Sequence, residues 1–126
     1  MIKIDFHSIM KLHELLADVT GGSTGIRDES LLRSALDSPY VTFDGQDLYA
    51  SIEEKGARLG YSLISNHAFV DGNKRIGVLI MLTFLEVNGV NLNLTDDDVV
   101  FLAMSVAKGD YKCEDVLNWI KLKKNS

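Results

Sequence analysis

The sequence predicts an all-α fold: a compact bundle of about six helices around a buried central helix, with one small β-hairpin. Three observations predict it. Apolar residues recur at three- and four-residue spacing through most of the 126-residue chain. A single proline leaves long regular elements uninterrupted. The segment "RIGVLIMLTFLEVNG" is apolar on every side, which fits a helix with no face for water, enclosed by the others.

In chain order, Asp5 can cap a first helix whose apolar side is Phe6, Ile9, Leu12, Leu16 and Val19, ending at Gly21-Gly22. The loop "GGSTGIR" leads to Asp28, a cap for a short helix carrying Leu31, Leu32, Ala35 and Leu36, which Pro39 ends. "YVTFDGQDLY" alternates β-forming residues around Asp44-Gly45, the dipeptide favoured in tight hairpin turns. From about Leu48 to Ser65 the pattern is helical again, with Tyr49, Ile52, Gly56, Leu59 and Leu63 on one side. The apolar helix follows, beginning near Asn73 and closed by Asn88-Gly89. "LTDDDVVFLAMSVAKG" places Thr95 at a cap, three acids in the positive first turn and Lys108-Gly109 at the end. After Cys113 comes a last amphipathic helix with Val116, Leu117 and Ile120, trailing into a solvated "KLKKNS".

Length suits one domain over residues 1–126 with a core that needs no metal or disulfide. Apolar residues at 46% and charged residues at 25% are ordinary for a globular protein. A formal charge of −5 argues against direct nucleic-acid binding, including the DNA-binding helical module, because a phosphate-tracking surface needs excess cations. Cys113 is the lone cysteine, so no intrachain disulfide forms and a reducing compartment fits. No signal peptide is visible, and the longest apolar run, Ile76 to Val87, is too short for a bilayer. A cytoplasmic protein without membrane contact is expected.

The chemistry concentrates in "NHAFVDGNKRIG", from Asn66 to Gly77. With the apolar helix starting near Asn73, the backbone N–H groups of Gly72, Asn73 and Lys74 lack helical partners and face outward with the positive end of the dipole, a site for phosphate. Gly72 permits a tight bend and close approach of a ligand. Lys74 adds a mobile point charge and Arg75 a planar fork. Asp71 is an acid among cations, suited to Mg²⁺ that bridges phosphate oxygens. His67 titrates near neutral pH and can take a proton from an attacking hydroxyl. Phe69 is the apolar pin of the loop. Singly, each has an ordinary use: a capping histidine, a turn at Asp71-Gly72-Asn73, a solvated cation pair. Together they reach as far as a phosphate site with a base beside it.

The string "HAFVDGNKR" resembles the signature of the Fic/Doc superfamily, H-x-F-x-D/E-G-N-G/K-R. "LHELL", "GGSTGIRDESLLRSAL", "YSLISNHAFVDGNKRIG" and "FLEVNG", in that order, resemble its Doc (death-on-curing) branch across nearly the whole chain. The resemblance implies a compact Fic/Doc-like fold and ATP with Mg²⁺ as cofactors. It implies His67 as base, Asp71 as Mg²⁺ ligand, and Gly72, Asn73, Lys74 and Arg75 as phosphate clamp. AMP-transferring relatives usually have glycine at the position of Lys74 and a second arginine at that of Val78. The Doc pattern here implies instead a protein kinase toxin that moves the ATP γ-phosphate to a threonine or serine hydroxyl. Its target would be translation elongation factor Tu, and its inhibitor a cognate antitoxin protein. Ala68, often proline in the Fic branch, is a minor departure. The resemblance also implies that the hairpin is a flap, with Val41, Thr42 and Phe43 holding the target as an added strand; a mere connecting loop is the alternative. AMP transfer, or a silent binding module on the same fold, are the other readings of the whole. No internal inhibitory segment of the Ser/Thr-x-x-x-Glu-Gly/Asn type is present, so inhibition is expected from another chain; a monomer or a toxin–antitoxin complex is the expected state. The acids of "TDDD" need no metal to explain them, Cys113 has no local base, and Trp119 is expected in the core.

Overall fold

The computed structural model describes residues 1–4, 7–8, 11, 28–66 and 74–124. The first predicted helix, from Asp5 to Gly21-Gly22, lies largely outside these; within it His7, Ser8 and Lys11 are described and are helical. Helix α1 (Glu29–Asp37) starts on Asp28, whose carboxylate accepts from the amides of Ser30 and Leu31 at 2.9 and 3.2 Å. That cap satisfies donors the helix cannot pair itself. A 3₁₀ turn (Ser38–Tyr40) with buried Pro39 ends it. Strands β1 (Thr42–Phe43) and β2 (Gln46–Asp47) then pair antiparallel, Thr42 opposite Asp47 and Phe43 opposite Gln46. Asp44 and Gly45 take φ of 54° and 79°, the left-handed pair that a two-residue hairpin turn requires.

Helix α2 (Ile52–Ser65) begins four residues later than the Leu48 start read from periodicity. The reason is a capping box. Ser51 Oγ accepts from the Glu54 amide at 3.1 Å while Glu54 Oε1 accepts from the Ser51 amide at 3.4 Å. Leu48 and Tyr49, therefore, belong to the hairpin's outgoing limb. Helix α3 (Lys74–Val87) is the apolar one. Helices α4 (Asp96–Ala107) and α5 (Cys113–Lys123) follow, α4 capped by Thr95 with Asp98 reciprocating. Asn88 ties the start of the chain to the end of α3, accepting from the Ile2 amide at 2.6 Å and donating to the Ile2 carbonyl at 2.8 Å.

Helices α2 and α3 form a wall between two cores. On one side Leu32, Ala35 and Leu36 of α1 pack with Leu59, Leu63, Ile76, Ile80 and Phe84. On the other, Ala57, Ile64, Val78, Met81 and Leu85 pack with Leu102, Val106, Val116, Trp119 and Ile120. This explains why α3 looks apolar all round, since two separate cores draw on it. It also corrects that reading: Arg75, Thr83, Glu86 and Val87 are exposed and Leu79 and Leu82 half-buried, so a narrow stripe does meet water. The element touching every other named helix is α2, and α3 is central by burial alone.

The wall is tight because glycine faces it at three levels. A Cβ on Gly56 would stand 2.5 Å from Leu85 Cδ2, and one on Gly60 2.6 Å from Met81 Sδ. One on Gly77 would stand 2.7 Å from Ile64 Cγ1 and 3.3 Å from Leu63 Cβ. Rising residue numbers on α2 thus meet falling numbers on α3, and the helices run antiparallel.

The lysines at the end of α5 and just after it are tied down. Lys124 forms a β-bridge with Leu92, the Asn93 amide donates to the Lys123 carbonyl at 3.1 Å, and the ammonium groups of Lys123 and Lys124 reach Asp98 at 3.2 Å and Glu53 at 3.0 Å. Lysines near a helix C-terminus meet acids in the first turns of α4 and α2, where both signs also suit the dipoles.

Two outcomes follow from this packing. Gly77→Val is expected to lower the unfolding free energy by about 1–3 kcal/mol through overpacking, seen as a lower urea midpoint at unchanged slope, whereas Thr83→Ala on the exposed stripe should stay within about 0.5 kcal/mol. The Lys124 hydrogen bond holds the Glu53 carboxyl below its ordinary 4.5, so its contribution is complete above that value and fades as pH falls through the folded-state value. The stability difference between Lys124→Met and the parent, below about 1 kcal/mol near neutrality for so exposed a pair, should therefore close in acid when measured by urea melts across pH.

Candidate functional site

Because α2 and α3 are antiparallel, the C-terminal end of α2 and the N-terminal end of α3 lie together, and residues 67–73 join them. Those residues lie outside the described ones, and with them His67, Phe69, Asp71, Gly72 and Asn73. The structure does define the frame on which they are mounted.

One post of the frame is Asn66. It closes α2 with φ −90° and ψ 0°, its amide donating to the Ser62 carbonyl at 3.1 Å. Its side-chain Nδ2 donates to the Leu31 carbonyl at 2.9 Å, fastening the end of α2 to the first turn of α1. The other post is the start of α3. Lys74 is half-buried and Arg75 exposed, and immediately behind them Ile76, Gly77 and Val78 are buried. Among the described residues neither cation is in an ion pair.

Charge at this start runs against the pattern of the other helices. Helices α1, α2, α4 and α5 all carry acids in the first turn, where the dipole favours them. The first described turn of α3 carries no acid and two cations. Positive charge there opposes the dipole and is balanced by no ion pair among the described residues, and it strengthens the field that an anion would meet. Of the predicted phosphate-clamp residues, Lys74 and Arg75 are the first described residues of α3, and Gly72 and Asn73 lie outside the described ones. Val78, where a second cation would stand in the other branch of the resembling superfamily, is fully buried in the core between α2, α4 and α5.

The hairpin lies along α2. Its incoming limb leaves beside Ser62, where Ser38 Oγ donates to Ser62 Oγ at 3.0 Å, one turn before Asn66. Val41, Thr42 and Phe43 are exposed, Phe43 at 77%, and Val41 precedes the strand rather than belonging to it. The outgoing limb meets Lys55, a buried lysine that periodicity does not single out. Its signal in the sequence is a cation directly before Gly56-Ala57, on a turn that packs inward. Arg58 stands 5.8 Å from the Tyr49 ring and 5.7 Å from the Tyr61 ring. Cys113 is half-buried, and desolvation pushes its thiol pKa up, as fits a packed, inert thiol. Among the described residues no group of three or more potential metal ligands forms, and no helix is long and apolar enough to cross a membrane.

Comparison with known proteins bears on this frame. The Fic/DOC family model matches residues 3–85, an interval that contains α1, the hairpin, α2, the undescribed loop and most of α3. Toxin Doc of Mycolicibacterium smegmatis (strain ATCC 700084 / mc(2)155) is similar to this chain, 46% identical over 72 residues, which is 57% of this chain and 55% of that protein. The match therefore spans about half the length of that curated relative.

If Lys74 and Arg75 serve an anion and not the fold, neutralising them should not cost stability. Lys74→Gln and Arg75→Gln are each expected to leave the melting temperature unchanged or raised, by up to about 1 kcal/mol of relieved dipole repulsion, as read by calorimetry without added nucleotide or phosphate.

Proposed function

The chain belongs to the Fic/DOC family, and on that premise we propose that it is the toxin of a toxin–antitoxin pair and a Doc-like protein kinase. It transfers the γ-phosphoryl group of ATP to a threonine or serine hydroxyl of a target protein, elongation factor Tu, and so inhibits translation in the cytoplasm. Similarity to a protein named Toxin Doc supports the toxin role and, with it, a cognate antitoxin as partner. The observation that carries the kinase reading is the start of α3: Lys74 and Arg75 stand there without ion-pair partners among the described residues, while the next candidate position for a cation, Val78, is committed to the core. This is the lysine-bearing, single-arginine pattern of the Doc branch, not the glycine and second arginine of AMP-transferring relatives.

In this reading His67 Nδ1 or Nε2 takes the proton of the target hydroxyl as its oxygen bonds to the γ-phosphorus. The bond from that phosphorus to the β–γ bridging oxygen breaks, and ADP leaves with the electron pair. Gly72, Asn73 and Lys74 amides, the Lys74 ammonium and the Arg75 guanidinium hold the phosphate oxygens and offset their charge, the main source of acceleration in phosphoryl transfer. Two cations at the first described turn of α3, without ion-pair partners among the described residues, suit an ATP tail. Asp71 would hold Mg²⁺, which when bound neutralises further phosphate charge. Thr42 and Phe43, exposed on strand β1, and Val41, exposed just before it, would hold the target backbone as an added strand.

Incubation with elongation factor Tu and ATP labelled separately at the α and γ positions tests the reading. Label retained from γ is the expected result; label retained from α means AMP transfer and no label on any protein of a bacterial lysate means a silent binding module. His67→Ala should fold normally and lose about 10²–10⁴-fold in rate. Thr42→Pro should raise the KM for the acceptor protein while ATP binding persists, and equal losses of both would remove the flap from the proposal.

A further inference from the structure

A lysine is among the least suited residues for burial, yet the Lys55 side chain is only 4% exposed. Its ammonium donates to Asp47 Oδ2 at 3.2 Å and to the carbonyl of Tyr49. Both acceptors lie on the hairpin's outgoing limb. Among the described residues the strands themselves have little else to hold them, although Arg58 also stands over the Tyr49 ring of the outgoing limb. Each strand is two residues long, and Thr42, Phe43, Gln46 and Asp47 are all exposed, as are Val41 and Leu48. A ribbon of that size has no apolar face to bury and is marginal in water.

The two observations explain each other. The ammonium finds its acceptors only when the limb is in place, and the limb finds its anchor only when the ammonium is buried. The incoming limb is fixed independently by buried Pro39 and the Ser38–Ser62 hydrogen bond. Ser62 and Lys55 are separated along α2 by about 10 Å at 1.5 Å per residue, so the hairpin is fastened at two points on one rigid helix, the same helix that ends at Asn66.

We infer that Lys55 is a positioning residue: its clamp on Asp47 and Tyr49 sets the orientation of the hairpin against α2 and thereby the strand edge offered to an extended peptide of the acceptor protein. The second half of this statement rests on the flap reading above; the first does not. Lys55 touches neither nucleotide nor acceptor hydroxyl in this scheme and acts only through the hairpin.

Amide hydrogen exchange of the full chain tests it directly. In Lys55→Met, and in Asp47→Asn, the Leu48 amide, which donates to the Val41 carbonyl at 3.0 Å, should exchange about tenfold or more faster, the loss expected for one hydrogen bond to a charged group. Amides in the interior of α2 and α3 should keep their parental rates. Unchanged Leu48 exchange in both variants overturns the inference. Should Lys55→Met fail to fold, Asp47→Asn carries the test, since Asp47 is on an exposed strand. In the transfer assay with elongation factor Tu, both variants should raise the acceptor KM by about tenfold and leave the KM for ATP in place. Equal rises in the two KM values, or a fall in kcat alone, would mark a general structural role and overturn the positioning claim. The exchange readout needs no activity, so a chain without transfer activity defeats the kinase reading while Leu48 exchange still decides whether Lys55 clamps the hairpin. Thr42→Pro separates the remaining case: if it raises the acceptor KM and Lys55→Met does not, the flap stands and this inference falls.

Discussion

Between α2 and α3 there is no room for a methyl group at three successive levels, and that closeness governs the rest of the molecule. Helix pairs separated by larger side chains sit 8–10 Å apart; glycine lets the backbones come nearer and locks the register, because Leu85, Met81 and Ile64 fill the space the missing side chains leave. The register fixes which end of α2 lies beside which end of α3. The loop between them is thereby held on two posts, Asn66 and Lys74, that packing deeper in the wall keeps in place. The proposed phosphoryl transfer, in which several groups must meet within a few ångströms, would gain most from such pre-set geometry.

The distribution of charge over the helix starts divides folding from function. Acids in the first turns of α2, α4 and α5 are matched to the dipoles and, at Glu53 and Asp98, to lysines from the last turn of the chain and just beyond it. Asp98 is held well ionised, first by the Thr95 amide and then by Lys123. Electrostatics in these places serves folding. At the first described turn of α3 the sign is reversed, with Lys74 and Arg75 in no ion pair among the described residues, and the proposed phosphate site gives that reversal a use.

Much of this is legible in the sequence, and for physical reasons. Asp28, Thr95, Asp44-Gly45 and Asn88-Gly89 are punctuation with a local mechanism, so each mark stands in the structure where the sequence puts it. The cations Lys74 and Arg75 and the exposed strand of the hairpin can be placed because helices and tight turns are set within a few residues. The differences concern non-local facts. Tyr49 fits the helical spacing, but Ser51 and Glu54 form the capping box and the chain enters α2 there. "KLKK" reads as a solvated run because nothing within it announces Asp98 or Glu53, tens of residues away. Lys55 goes unnoticed in the sequence because its acceptors, Asp47 and the Tyr49 carbonyl, become visible only when the outgoing limb meets α2. The seam is half visible: Gly56 shows in the periodicity, but only the antiparallel pairing gives Gly77 its partner in Ile64.

The shared wall also governs how much latitude the sequence has to drift. Ile76, Ile80 and Phe84 answer to one core and Val78, Met81 and Leu85 to the other, so a volume change that one side could absorb by shifting α3 would be transmitted to the opposite side. Compensation by rigid-body adjustment is closed off, and replacements in α2 and α3 must be settled atom for atom within their own layer. The outer face of α4, where Val100, Phe101 and Met104 meet solvent, is under no such restraint. A lineage of such proteins can therefore diversify its periphery freely, while the paired helices α2 and α3 change only in concert.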